Sequence, residues 1–144
     1  MIAIPSIWDI TSLSLIPLVL SPLYFWYTTQ NIYHVIGFAG IILTVISVEA
    51  LKYFVFPGQY RPPNAKGCDL FCLHETDENK PGMPSGHAAT VAFYGLFYNI
   101  TNPLYIGYVA LMVTSRYRKH CHTIPQIIAG LLFGAGIGNL CKQY

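Results

Sequence analysis

The chain has 144 residues, of which eight are Lys or Arg and six are Asp or Glu, a charged fraction of 10% against roughly 25% in an average soluble domain. Hydrophobic residues make up 53%, aromatic residues 15%, and the mean hydropathy is +0.45. So few charges cannot give a small domain a polar skin, the aromatic and β-branched content excludes disorder, and a net charge of +2 without a basic stripe excludes a nucleic-acid binder, which leaves one unit in a lipid bilayer.

The charges mark out the elements in chain order. No basic residue precedes Asp9, so the N-terminus is not expected to be a cleaved signal peptide. No charge falls between Asp9 and Glu49, and a spanning helix needs roughly 20 apolar residues. Two spans are therefore expected, at 10–27 and 32–56, parted by Thr28-Thr29-Gln30-Asn31. Pro17 and Pro22 inside the first are expected as kinks that a membrane bundle tolerates. The second carries Glu49 and Lys52 in its last turns and is stopped by Pro57-Gly58.

Residues 57–85 form the one long polar segment, and loops of that length in a compact protein are usually functional. A second charge gap holds spans at 86–100 and 103–116, divided by a turn signal at 99–103. Both are short, so they either extend into flanking residues or thin the bilayer locally. The last span is 123–140, where small residues three and four apart, Gly130, Gly134 and Gly138 among them, predict a helix-packing face. The expected fold is all-α: a single polytopic membrane helix bundle over residues 1–144, with about five transmembrane helices and its site at one membrane face.

Cys68 and Cys72 lie in the long loop with His74 two residues on. A zinc fragment is disfavoured because a fourth ligand is not nearby; a Cys68–Cys72 disulfide in an oxidising compartment and two free packing cysteines both stay open. Cys121 and Cys141 read as ordinary helix residues, His120 as incidental, and Glu49 as the ion-pair partner of Lys52, one turn away, ahead of a role in binding a substrate hydroxyl.

Three clusters carry chemistry. Lys52 ends the second span and Arg61 follows a short turn. Alone, such a pair reads as side chains snorkelling to headgroups. Ser85-Gly86-His87 opens the third span, with Ser85 as a natural N-cap and free N–H groups that favour an anion. Gly86 lets a phosphate approach the backbone. Arg116 ends the fourth span, His122 begins the fifth, and Gln126 lies one turn after His122, where its amide is placed to orient the imidazole. Tracing five spans puts all these residues on one membrane side. Three fixed cations, two histidines and a helix N-terminus suit a phosphate or diphosphate, and without a carboxylate cluster neither a two-metal site nor a cofactor is expected.

The pieces Lys52…Arg61-Pro62, Pro84-Ser85-Gly86-His87 and Ser115-Arg116…His122 resemble, in order and spacing, the three signatures of the type 2 phosphatidic acid phosphatase superfamily, which holds membrane lipid phosphatases, bacterial acid phosphatases and vanadium haloperoxidases. Two features depart from its usual pattern: eight residues separate Lys52 from Arg61, a longer spacing, and Gln126 stands where an Asp is common. The Gln126 and Gly130 positions after His122, with Gly82-Met83-Pro84-Ser85 upstream, resemble the dolichyl-diphosphatase branch, although that branch often has Ser at the place of Gly86.

The resemblance implies a metal-independent lipid phosphatase. In it His122 attacks phosphorus to give a phosphohistidine, His87 protonates the leaving oxygen, and Lys52, Arg61, Ser85, Gly86 and Arg116 hold the phosphate, with Gln126 beside the nucleophile. The implied substrate is a polyprenyl diphosphate. The rivals are phosphatidic acid or another lipid monophosphate, and a non-catalytic protein that binds lipid phosphate. The distribution of basic residues alone would put the site in the cytosol. Because several of those bases are assigned to phosphate, the resemblance prevails, and the site is expected on the lumenal or extracytoplasmic side.

Overall fold

The computed structural model describes residues 6–69 and 76–144. Cys72 and His74, on which the zinc and Cys68–Cys72 readings depend, lie outside the described residues. The described residues form six α-helices and no sheet: α1 (Ile7–Leu13), α2 (Leu15–Thr29), α3 (Ile32–Ala50), α4 (Gly86–Phe97), α5 (Pro103–Arg118) and α6 (Ile124–Cys141). A π-helical turn, Leu51–Val55, continues α3. The chain is the expected helical membrane bundle.

The first expected span is two helices. Ser6 and Asp9 start α1 with a reciprocal capping box: the Ser6 amide donates to Asp9 Oδ2 at 2.9 Å and the Asp9 amide to Ser6 Oγ at 3.2 Å. The break at Ser14 puts Pro17 in the first turn of α2, where its missing N–H leaves no helical bond unmade. Pro22 stays inside α2, buried. Asn31 and Asn102 cap α3 and α5 by accepting from the amides of Tyr33 and Leu104 at 2.9 and 2.8 Å.

Among the described residues, three stretches are long and apolar enough to cross a membrane: Ile7–Thr29, Ile32–Val55 and Ile124–Cys141. With 12 residues, α4 is only about 18 Å long. It does not need a lipid-facing length, because nine of its residues are buried by the other helices. Phe93 and Phe97 stack and pack with Ile41 and Tyr94 at the core, while Val91 meets Leu15 and Met112.

The small-residue face of α6 packs on α4 as its spacing predicts. A Cβ on Gly134 would overlap the Ala89 backbone, one on Gly130 the Ser85 carbonyl, and one on Gly138 would stand 2.6 Å from the Phe93 carbonyl oxygen. These glycines let two backbones touch, and the contact sets the start of α6 beside the start of α4.

The two described parts of the loop, 57–69 and 76–85, pair with each other. The Arg61 amide donates to the Lys80 carbonyl at 3.1 Å, the Gly82 amide to the Gln59 carbonyl at 2.7 Å, and the Asp77 amide to the Ala65 carbonyl at 2.8 Å. The two ends of the loop are thereby paired over the bundle end that carries the starts of α4 and α6.

Candidate active site

The end of α3, the paired loop and the starts of α4 and α6 surround a cavity of about 450 Å³, whose walls include Lys52, Arg61, Gly86, His87 and His122. Lys52 sits in the π-helical turn, which turns Tyr53, Phe54 and Val55 outward and leaves the ammonium buried. Single π turns often occur at functional sites. The Lys52 ammonium pairs with Glu49 Oε1 at 2.5 Å, the expected partner. Between Lys52 and Arg61 the chain completes the π turn and makes the tight turn at Pro57-Gly58, which takes up the longer spacing.

His122 is 2% exposed. Its Nδ1 lies 2.8 Å from the Gly82 carbonyl oxygen. A carbonyl only accepts, so Nδ1 carries the proton and Nε2 keeps its lone pair. Burial, and then the charges of Arg116, Arg61 and Lys52, hold the imidazole well below the ordinary histidine pKa, so the ring is neutral near neutral pH. Gly82 is pressed between Arg61 and Gln126: a Cβ there would stand 3.0 Å from Arg61 Cγ and 2.9 Å from Gln126 Oε1.

The partner of the His122 ring is thus the Gly82 carbonyl and not the Gln126 amide, which corrects the expected pairing. Gln126 instead ties segments together. Its Oε1 accepts from the Thr123 amide at 3.1 Å, its Nε2 donates to the Tyr60 carbonyl at 2.9 Å, and its backbone carbonyl accepts from the Ser85 amide at 3.0 Å. An Asp could not donate to Tyr60. The amide is the group this position requires.

Several buried polar atoms point into this region without a hydrogen-bond partner: Arg61 Nε and Nη1, Ser85 Oγ and His87 Nε2. Ser85 occupies the N-cap position of α4, but its hydroxyl makes no capping bond, contrary to its expected role as a cap. Buried unpaired polar groups are rare and costly. Donors from a guanidinium, a hydroxyl and an imidazole, gathered beside a helix N-terminus, are what an oxyanion would satisfy.

Arg116 is fully buried behind the cavity wall. Its Nη1 donates to Ser12 Oγ at 2.9 Å and its Nη2 to the Cys68 carbonyl at 2.5 Å. The reading of Cys121 as an ordinary helix residue is overturned: it stands in the turn between α5 and α6 and forms a disulfide with Cys68. The Cys68 sulfur is consequently unavailable to Cys72 or to a metal. Sequence reasoning missed the Gly82 carbonyl as the partner of His122, and it missed Ser12 and the Cys68–Cys121 pair. Only the position of Cys121 next to His122 hinted at the last. Cys141 is a free thiol at the end of α6.

The profile of the PAP2 superfamily matches residues 33–144. The chain belongs to the PAP2 superfamily. The match covers every signature residue and leaves out α1 and α2. No curated protein and no solved structure matches the chain significantly. Membership in the PAP2 superfamily supports a phosphatase-type function on lipid phosphates, in a protein whose helices suit a membrane.

Proposed function

We propose that the chain is a metal-independent membrane phosphatase that hydrolyses a polyprenyl diphosphate through a phosphohistidine. The observation that carries this reading is the two-ended cavity. One end bears Lys52, Arg61, His87 and His122; the other is walled by Leu15 and Val19 of α2 and by Ile41, Ile42 and Val45 of α3. A phosphate fits the first and an apolar chain the second. The Gln126 and Gly82–Ser85 pattern favours the polyprenyl diphosphate over phosphatidic acid.

The chemistry follows from the ring nitrogens. The Nε2 lone pair of His122 attacks phosphorus, and the bond from phosphorus to the leaving oxygen breaks. His87 gives that oxygen its proton and later takes one from the water that hydrolyses the phosphohistidine, returning His122 to its neutral form. Lys52, Arg61, Ser85 and the first amides of α4 hold the equatorial oxygens, and Arg116 adds positive potential from behind.

For orientation, the Cys68–Cys121 disulfide favours an oxidising compartment on the site's side, lumenal or extracytoplasmic. Protease access to tags at the two ends tests this, and an active-site loop protected with the cytosol would sink it.

The deciding experiment is phosphate release by purified protein in detergent with a chelator present, from a polyprenyl diphosphate and from phosphatidic acid. The reading expects the diphosphate to be the better substrate and His122→Ala to be inactive. Full activity of His122→Ala would refute the mechanism. Binding without turnover would leave a lipid-phosphate-binding protein.

A further inference from the structure

Asp9 and Ser12 stand three residues apart in α1, both buried, in a stretch otherwise apolar enough to face lipid. Polar and charged groups in such a stretch are expensive and usually have a function. Ser12 Oγ accepts from Arg116 Nη1 at 2.9 Å and donates to the Trp8 carbonyl at 2.9 Å. Asp9 pairs with Lys119 at 2.7 Å. Arg116 and Lys119 are likewise three residues apart, so two matched pairs face each other across the contact between α1 and α5.

From the other side the 66–68 segment closes on the same cations. The Cys68 carbonyl accepts from Arg116 Nη2 at 2.5 Å and the Gly67 carbonyl from Lys119 Nζ at 2.7 Å. The backbone carbonyl of Arg116 in turn accepts from the amides of Cys121 and His122 at 3.0 and 3.3 Å. The backbone of Arg116 is thereby tied to that of His122. All of this hangs on a helix that precedes the residues, 33–144, matched by the superfamily profile.

We propose that Ser12 and Asp9 are positioning residues of the phosphate site, and that α1 is a strut that fixes the Arg116 guanidinium and, through it, His122. The inference rests on the phosphatase reading given above. A fixed charge stabilises a transition state because it need not reorganise as the reaction proceeds, and a site is only as exact as the groups that support it. Ser12 supplies such support to the buried Arg116 side chain by a charge-assisted hydrogen bond, beside the one to the Cys68 carbonyl.

The test uses the full chain in detergent, with Ser12→Ala, Ser12→Thr and Asp9→Asn compared for lipid-phosphate hydrolysis, pH profile and thermal melting. Ser12→Ala is expected to lower kcat/KM by about tenfold. It is also expected to move the acid limb of the profile upward, because Arg116 is one of the cations, with Arg61 and Lys52, that keep His122 unprotonated. Ser12→Thr keeps the hydroxyl and should restore both. Asp9→Asn should repeat the Ala phenotype more weakly, and it reads the same strut if Ser12→Ala does not fold. A folded Ser12→Ala protein with wild-type kcat/KM overturns the proposal, and so does lost activity with an unmoved acid limb and a lowered melting temperature, the mark of a purely structural role. A wild-type protein that releases no phosphate from any lipid phosphate overturns the phosphatase reading itself, a result separate from either.

Discussion

His122 divides its two nitrogens between structure and chemistry. Nδ1 is spent on the Gly82 carbonyl, so the reactive lone pair sits on Nε2 and the tautomer is fixed. Its depressed pKa has a consequence with a definite sign. In the proposed mechanism the neutral ring is the nucleophile, so protonation removes the lone pair and activity should be lost as pH falls through that pKa. The acid limb of kcat/KM should accordingly lie below the ordinary histidine value of about 6.5. A limb at or above that value, measured in the purified protein, would contradict the burial of the ring and the cations Arg116, Arg61 and Lys52 around it. Gln126 is the second residue whose chemistry is specific. Gln126→Glu replaces the donor to the Tyr60 carbonyl with a carboxylate oxygen facing that carbonyl. Losing a buried hydrogen bond and leaving its acceptor unsatisfied costs about 1–3 kcal/mol. Thermal melting should fall and activity with it, because Gln126 joins the loop, α4 and α6 at the site.

Among the elements, the decisive contact is between α4 and α6. Two backbones in contact leave no room for a side chain, so substitution there forces the helices apart. Gly134→Val should destabilise the protein by about 1–3 kcal/mol or more and reduce activity, since separation of these helices also separates His87 from His122. Gly136 lies on the same helix with nothing near its missing Cβ. Gly136→Ala should therefore keep activity and hold or slightly raise the melting temperature, since Ala favours a helix over Gly, and a loss of both as large as at Gly134 would count against the packing argument. The π-helical turn works the same way at the end of α3. At that turn Lys52 is buried while its three successors are exposed.

For the whole molecule, the Cys68–Cys121 disulfide closes a loop over 53 residues that contains Ser85, His87 and Arg116. A cross-link of that span stabilises by roughly 2–4 kcal/mol through the unfolded chain. It also anchors the carbonyl that receives Arg116. Reduction by a dithiol, or Cys121→Ser, is expected to lower the melting temperature and the rate of phosphate release together. Unchanged values in both would remove the disulfide from the functional architecture. The bundle itself resolves the shortness of α4: nine of its twelve residues are buried against protein, so its length is not matched to the bilayer.

Much of this was legible in local pattern. Charge gaps outlined the helices, the spacing of Gly130, Gly134 and Gly138 announced a packing face, and Lys52, Arg61, Ser85, Gly86, His87, Arg116 and His122 stood out by type and order. Those signals are readable because each depends on near neighbours or on helical periodicity. The break at Ser14 was less so, since Pro17 permits a kink or a helix start equally well. The partners of the site residues belonged to the tertiary structure. His122 meets Gly82 across 40 positions, Cys121 meets Cys68 across 53, and Arg116 meets Ser12 across 104. No periodicity specifies such pairs. Backbone packing of α4 on α6, and the pairing of the two ends of the polar loop, decided which buried donor found which acceptor, and which found none.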